Sequence, residues 1–450
     1  ARIRGIVSAD DRAARFARPL MLDLLTYSAR RVPEIADSPQ EVDDAMRWGF
    51  NWALGPFQTW DALGVANVAE ALQADGREVP PLVRDVLERG EGQFYTAHSG
   101  ARAVFMPATA SYAPLPPRPS DLTAEAVRRR GPTVLSNRSA SLLDMGDGVA
   151  LLEYHSKLNT IDQEIVTLTR DALERGARDF RALVIGNDAA DFSVGANLAL
   201  LLMGARMRQW AQLERVVKAF QDVNMATKYS PVPVVVAAAG RTLGGGCEVL
   251  LHGARVRAAA EIYCGLVETG VGLVPGGGGC KELLLRAREV EPAKGPFPPV
   301  RRAFETIAYA TVSTSAAEAR RLGYLRTTDG VTLDRERLLY DAKADALALA
   351  EGGYTPPVPA TIRLPGAGGR LALEQQIEVL RQAGKISAHD AVVAARLAYV
   401  LTGGDCSPLD DVGEQRLLDL EREVFLSLCG LPKTLERMQH TLTTGKPLRN

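Results

Sequence analysis

The sequence predicts an α/β protein flanked by helical regions, and three observations carry that prediction. Between about residues 146 and 280, short apolar runs that read as strands alternate with longer amphipathic runs, the pattern of strands joined by crossover helices. The first part, Ala1 to about Ala110, and the stretch from about Phe304 onward read instead as helical almost throughout. Proline clusters divide these textures: Pro107, Pro114, Pro116, Pro117 and Pro119 fall within "PATASYAPLPPRPSDLTAE", and each removes a backbone donor and fixes φ.

Taken in order, "SPQEVDDAMRWGF" offers Ser38 as an N-cap with Glu41 at the capping-box position. "GPFQTWDALG" restarts a helix after a Gly-Pro turn. "GVALLEY" (Gly148 to Tyr154) reads as a strand, "TIDQEIVTLTRDALERG" as a helix capped by Thr160, and "FRALVIG" (Phe180 to Gly186) as a second strand. A long amphipathic helix from roughly Asn197 to Lys228 precedes the third strand, "PVPVVVAAAG" (Pro231 to Gly240). The expected organisation is a helical domain over 1–110, a Pro-rich linker over 111–140, an α/β core over 141–330 and a helical extension over 331–450. No repeat of fixed period argues for a solenoid.

Of the 450 residues 46% are hydrophobic and 24% charged, enough for two or three domains with their own cores. Lys plus Arg number 53 against 54 Asp plus Glu, so charge gives no case for nucleic acid or an anionic membrane surface. No apolar run approaches the roughly 20 residues that span a bilayer, and no signal region opens the chain. Cys247, Cys264, Cys280, Cys406 and Cys429 form no C-x-x-C pair or disulfide framework, so a reducing cytoplasm is the expected location. The start at Ala1 without Met is expected for a fragment or a processed product.

The residues with chemistry gather at three glycine-rich turns. "TLGGGCEVLL" (Thr242 to Leu251) ends a strand and opens a helix, where unpaired N–H groups and the helix dipole favour a phosphate or a developing oxyanion. Glu248 lies three residues past Gly245, about one turn along. "DFSVGANL" (Asp191 to Leu198) ends "FRALVIG" in the same way, and its Gly195-Ala196 amides offer a second donor. "GLVETGVGLVPGGGG" (Gly265 to Gly279) adds Glu268. Two carboxylates and two backbone donors point to acid/base chemistry beside an enolate.

Each piece alone has a plainer reading. The triple glycine can be a tight turn, Glu248 a carboxylate that complements the dipole, Glu268 a surface residue and "PGGGG" a flexible loop. His155, His252 and His389 are scattered and read as structural or exposed, so no metal site is expected. Cys247 has no histidine near it in sequence and reads as packing.

Together the segments resemble the crotonase (enoyl-CoA hydratase/isomerase) family. "FSVGANL" is similar to its F-S-x-G-A-D-L loop, "GGGCE" to its glycine-rich turn, and Gly265, Glu268, Gly272 and Pro275 to Gly279 to its third motif. "VSTSAAEARRLGYL" (Val312 to Leu325) extends the likeness over about Gly146 to Thr328. The resemblance implies a crotonase-like ββα spiral core. It also implies that the Ala196 and Gly245 amides form an oxyanion hole for a CoA thioester carbonyl, and that Glu248 and Glu268 are the hydratase pair. Ser193, Gly195, Ala196, Asn197 and Leu198 would form the loop against the CoA thioester. Asn197 departs from the family's usual Asp, which implies altered loop hydrogen bonding. Further implications are acyl-CoA thioesters as substrates and a homo-oligomer.

"EIADSPQEVDDAMRWGFNWALGPFQTWDALG" (Glu34 to Gly64) is similar to the helical C-terminal domain of 3-hydroxyacyl-CoA dehydrogenases, through Gly55 to Gly64 above all. That family binds NAD in a preceding Rossmann domain, and no G-x-G-x-x-G follows an early strand here. The expectation is therefore the C-terminal portion of a bifunctional β-oxidation enzyme: a hydratase module that binds no cofactor of its own, with NAD used by the longer protein. Two alternatives stand beside it. In one the longer protein is chiefly a dehydrogenase; in the other the module is a non-catalytic CoA-binding unit, its site reshaped by "REVEPAKGPFPPVRR" (Arg288 to Arg302).

Overall fold

A computed structural model describes all residues except 1, 51, 99, 100, 116–119, 121 and 291–294. The chain forms two compact units, Ala1–Pro119 and Ser120–Asn450.

In the first unit, helices that include Arg12–Ile35, Pro39–Phe50, Pro56–Leu63, Val65–Ala74 and Pro81–Glu88 enclose a core of Leu25, Val32, Phe57, Trp60, Leu72 and Phe94. The expected helix starts at Pro39 and Pro56 are present. The Asp43 carboxylate caps the Pro56 helix, accepting from the Phe57 and Gln58 amides at 2.7 and 3.0 Å and from the Tyr95 hydroxyl at 2.7 Å. Gly55 is required there, because a Cβ would lie 2.4 Å from Asp43 Cα. This unit is not all-helical: Tyr95–His98, Ala101–Met106 and Ser111–Pro114 pair as an antiparallel sheet. Phe94 and Phe105 anchor that sheet in the helical core, which local helix propensity could not reveal.

The second unit is built on a seven-stranded sheet: β1 Thr133–Ser136, β2 Ala140–Asp144, β3 Val149–Tyr154, β4 Ala182–Gly186, β5 Val234–Leu243, β6 Arg255–Gly265 and β7 Gly330–Thr332. Spatial order follows chain order. The pairs from β3 to β7 are parallel, while β1–β2 and β2–β3 are antiparallel. β3 and β4 are buried along their whole length, as the continuous apolar runs require.

The segment 111–140, expected as a linker, is instead shared out. Ser111–Pro114 closes the first sheet, while the helix Ala124–Arg130 and β1 belong to the second unit. Its residues 116–119 and 121 lie outside the described ones. The α/β core also continues past residue 330, because β7 pairs with β6, and the helix Leu338–Glu351 packs Leu338, Leu339, Ala342 and Ala346 against Val184, Val235 and Ala237.

Helix α1 (Gln163–Asp179) is capped by Asp162, which accepts from the Ile165 amide at 2.9 Å, rather than by Thr160. Thr160 cannot take that place, because Ile161 bridges in extended form to Ala196. The long helix expected over Asn197–Lys228 is two helices, α2 (Leu198–Arg206) and α3 (Trp210–Lys228), broken at Arg208 with φ of +53°. β5 runs on to Leu243, past an irregularity at Gly240, and α4 (Gly245–His252) and α5 (Gly279–Val290) follow β5 and β6. The C-terminal helices include α6 (Ala388–Leu401), α7 (Glu414–Cys429) and α8 (Pro432–Thr444).

Gly240 has φ of +57°, and a Cβ there would stand 2.1 Å from the Ala190 carbonyl oxygen. Gly240→Ala is expected to destabilise the second unit by on the order of 3 kcal/mol through strain and backbone clash. A lower urea midpoint followed by circular dichroism checks this; an unchanged midpoint would contradict the close approach.

Candidate active site

The three glycine-rich turns meet at the carboxyl ends of the parallel strands, where open α/β sheets place their ligands. The loop after β4 is held to β5 by the Ser193 amide on the Arg241 carbonyl at 3.2 Å and the Leu243 amide on the Ser193 carbonyl at 2.9 Å. The Gly195 backbone, at φ of +97°, passes so close that a Cβ would lie 2.8 Å from the Leu243 carbonyl oxygen and 3.2 Å from the Gly245 nitrogen. The Ala196 nitrogen in turn lies 3.5 Å from the position of a Cβ on Gly245. Among the described residues, nothing accepts a hydrogen bond from the Ala196 or the Gly245 amide. Two unpaired donors are thus brought side by side, Gly245 at the first position of α4 and Ala196 on an exposed loop.

Glu248 stands one turn into α4 and is 3% exposed. Its Oε1 accepts from the Gly277 amide at 2.7 Å and the Gly279 amide at 2.9 Å. Burial pushes its carboxyl up to about 7, and the two amides pull against that rise. Glu268 opens a short 3₁₀ turn after β6 and is half-buried, with Oε2 enclosed and lacking a hydrogen-bond partner. Its carboxyl is pushed well above the ordinary range, first by burial and then by the Glu248 charge. The two carboxylates therefore sense each other, and Glu268 Oε1 lies 3.2 Å from the position of a Cβ on Gly244. Glu248 can therefore hold or release a proton near neutrality, and Glu268 is biased toward its protonated form.

The other residues of the first loop divide by their geometry. Ser193 is fully buried, and its hydroxyl donates to the Asn159 carbonyl at 2.7 Å and accepts from the Gly195 amide at 3.2 Å. It staples the loop and offers no free face to a CoA thioester. The Gly195 amide is likewise occupied, leaving Ala196 as the loop's available donor. Asn197 caps α2 through Oδ1 and the Leu200 amide at 3.3 Å, while Leu198 begins that helix half-buried. Asn197 thus has a local hydrogen-bonding role.

His252 is buried and donates Nδ1–H to the Glu248 carbonyl at 2.6 Å; burial holds its imidazole down at about 3, so it stays neutral. His389 meets Thr434 Oγ1 at 2.9 Å and His155 meets Ser141 Oγ at 2.9 Å. Cys247 packs 3.4 Å from Cys264 Sγ, with its thiol pushed up by burial. Lys281, adjacent to the loop, is fully buried and hydrogen-bonded to Glu282 and Glu414, so it is not available to CoA phosphates. Among the described residues no cluster of three or more His, Cys, Asp or Glu is arranged to hold a metal ion. No described helix is long and apolar enough to cross a membrane.

The sequence reading did not single out Glu421, Gln221 and Asn224. Glu421 accepts from the Gly278 and Lys281 amides at 2.9 and 2.7 Å, while Gln221 and Asn224 donate to the Gly276 and Gly277 carbonyls, each at 2.8 Å. "PGGGG" is therefore a tightly bonded turn and not a free loop. Only the helical spacing of "LLDLEREVF", which puts Glu421 on the same face as Leu417, Leu418, Val424 and Phe425, could have hinted at Glu421. Of the segment Arg288 to Arg302, residues 291–294 lie outside the described ones; on either side are the end of α5 at Val290 and the helix Phe297–Ala308.

Residues 144–329 match the family described as enoyl-CoA hydratase/isomerase. Over all 450 residues the chain is 42% identical to a Bacillus subtilis (strain 168) protein named "Probable 3-hydroxyacyl-CoA dehydrogenase", covering 56% of that protein. It is 27% identical over 424 residues, or 93% of this chain, to a Rickettsia felis protein whose name carries the words "fatty acid oxidation complex trifunctional enzyme", covering 52% of it. The chain thus spans about half the length of these curated relatives. A solved enoyl-CoA hydratase from Bacillus halodurans aligns with 67% of this chain and 99% of its own, at 16% identity and a TM-score of 0.46.

The raised Glu248 carboxyl carries a stability consequence. The folded state binds its proton more tightly than the unfolded chain does, so this group's contribution is fully present below about pH 4.5 and is lost as pH rises through about 7. Glu248→Gln keeps an oxygen for the Gly277 and Gly279 amides but cannot ionise. Its melting temperature relative to wild type is expected to be higher at pH 8 than at pH 5. Thermal melts at the two values test this, and a difference independent of pH would contradict it.

Proposed function

We propose, taking as premise the enoyl-CoA hydratase/isomerase domain matched over residues 144–329, that this chain adds water to trans-2-enoyl-CoA thioesters to give 3-hydroxyacyl-CoA. The observation that carries the reading is the pair of unpaired Ala196 and Gly245 amides beside two mutually interacting glutamates, Glu248 buried and Glu268 half-buried. The thioester carbonyl oxygen would accept both amide protons, and negative charge would grow on it as water attacks C3. Glu248, whose Oε1 is fixed by two amides, leaves its other oxygen to take a proton from that water. Glu268, biased toward its protonated form by burial and by the Glu248 charge, would act as the acid and give its proton to C2. One O–C3 bond and one H–C2 bond form, the C2=C3 π bond is consumed, and proton exchange with solvent resets the two carboxyls.

Retention of both glutamates supports hydration over double-bond isomerisation. The finer reading is that the chain is the C-terminal portion of a bifunctional β-oxidation enzyme of the cytoplasm that also oxidises 3-hydroxyacyl-CoA with NAD. It is supported by the whole-chain likeness to the protein named as a dehydrogenase and by the likeness of Gly55 to Gly64 to that family's helical domain. No dinucleotide fingerprint follows an early strand in this sequence, so no step here involves NAD.

Loss of the conjugated enoyl absorbance of crotonyl-CoA and a longer enoyl-CoA, without NAD, tests the hydratase. Glu248→Gln and Glu268→Gln are each expected to lower kcat by a factor of at least about 10². Turnover indifferent to both substitutions would reject the assigned roles, and no turnover by the wild type would favour a CoA-binding module. NAD reduction by a 3-hydroxyacyl-CoA with the longer protein, absent with this chain, is the expected result for the second activity.

A further inference from the structure

We infer that Glu421, carried by the C-terminal helix α7, is a positioning residue for Glu248, so that the C-terminal helices are part of the site. The inference rests on the hydratase reading for its kinetic arm and on geometry for the rest.

Two carboxylates from different parts of the chain grip the same turn in alternation. The Gly277 and Gly279 amides go to Glu248 Oε1 at 2.7 and 2.9 Å. The Gly278 amide goes to Glu421 Oε2 at 2.9 Å and the Lys281 amide to Glu421 Oε1 at 2.7 Å. The carbonyl side is held as well: Gln221 Nε2 donates to Gly276 and to Leu418 of α7, and Asn224 Nδ2 donates to Gly277. Arg422, beside Glu421, donates to Gln221 Oε1 at 2.7 Å. Phe220 and Phe425 close on the turn, where a Cβ at Gly277 or Gly276 would lie 2.3 or 2.9 Å from their rings. The turn therefore has little freedom to move, and neither carboxylate can shift without displacing amides next to those the other holds.

Glu421 is fully buried. The ionisable groups that act with it are Glu248, Glu268, Cys280 and Lys281. Burial and the Glu248 charge push the Glu421 carboxyl well above the ordinary range, so a charge on either group opposes ionisation of the other. Replacing Glu421 by a group that cannot ionise removes that opposition and should move the acid limb of kcat to lower pH.

The test compares Glu421→Gln and Glu421→Asp with wild type, with exposed Glu423→Gln on the same helix as control. Gln preserves shape but turns one acceptor into a donor facing an amide. Its kcat for crotonyl-CoA is expected to fall about tenfold to 100-fold with KM changed less than about threefold, and its acid limb to move down. Asp keeps an ionisable carboxyl but is too short, so kcat is expected to fall while the acid limb stays near that of wild type. In both, hydrogen exchange of the peptide containing Pro275 to Glu282 is expected to quicken, with the control unchanged.

Wild-type kcat and exchange in Glu421→Gln would overturn the inference. So would a loss of activity matched by a lower melting temperature with the acid limb unmoved, the signature of a purely structural role. Should the wild type hydrate nothing, the hydratase reading falls, and the exchange measurement alone decides whether Glu421 holds the turn.

Discussion

The bonds from the Gly277 and Gly279 amides to the Glu248 carboxylate are the constraint around which this site is built. A carboxylate removed from water loses several kcal/mol of hydration, and hydrogen bonds to a charged group return about 1.5–3 kcal/mol each. Two such bonds do not cancel the loss, which is why the Glu248 carboxyl is lifted to about 7 instead of lowered. Supplying both amides to one oxygen demands a turn without side chains. At Gly279 a Cβ would lie 3.0 Å from Glu248 Oε1, and at Gly278 one would lie 2.8 Å from His252 Cε1. The glycines are therefore a requirement of burying a carboxylate against backbone.

Two groups of buried or half-buried carboxylates lie close together here and behave oppositely. Glu282 and Glu414 face Lys228 and Lys281, with Nζ–O distances of 2.6 Å from Lys228 to Glu282 and 2.9 Å from each lysine to Glu414. Those cations hold both carboxyls below the ordinary range, Glu414 at about 2. Glu248, Glu268 and Glu421 are raised. The same burial thus yields anions where ammonium groups bond the carboxylate directly and raised carboxyls where no ammonium group does. The first set ties α3, α5 and α7 together; in the second, Glu421 holds the glycine turn, and Glu248 and Glu268 are the pair to which the proposed chemistry falls.

Much of the core was legible because its signals are local. The apolar runs became β3, β4 and β5, and the order of strands and helices follows from crossover rules. The errors came where distant contacts overrode a local pattern. Thr160 looked like a cap, yet the bridge between Ile161 and Ala196 moved the helix start to Asp162. The amphipathic run after Asn197 broke at Arg208, beside the close packing of Gly204 on Leu213, where a Cβ would lie 2.9 Å from the leucine side chain. The proline-rich segment looked like a linker, but its flanks pair into two different sheets.

By itself the sequence determined which chemistry is available: glycines that admit close backbone approach, Ala196 and Gly245 at strand-to-helix turns, and Glu248 one turn beyond its glycine. These depend on spacing within a few residues, where backbone geometry alone sets what can face what. Only the tertiary structure decided how that chemistry is tuned. It enclosed the Ser193 hydroxyl, coupled Glu268 to Glu248 and brought Glu421 onto the turn from far along the chain. Desolvation and electrostatic coupling depend on what surrounds a group in space, and long-range packing creates those surroundings.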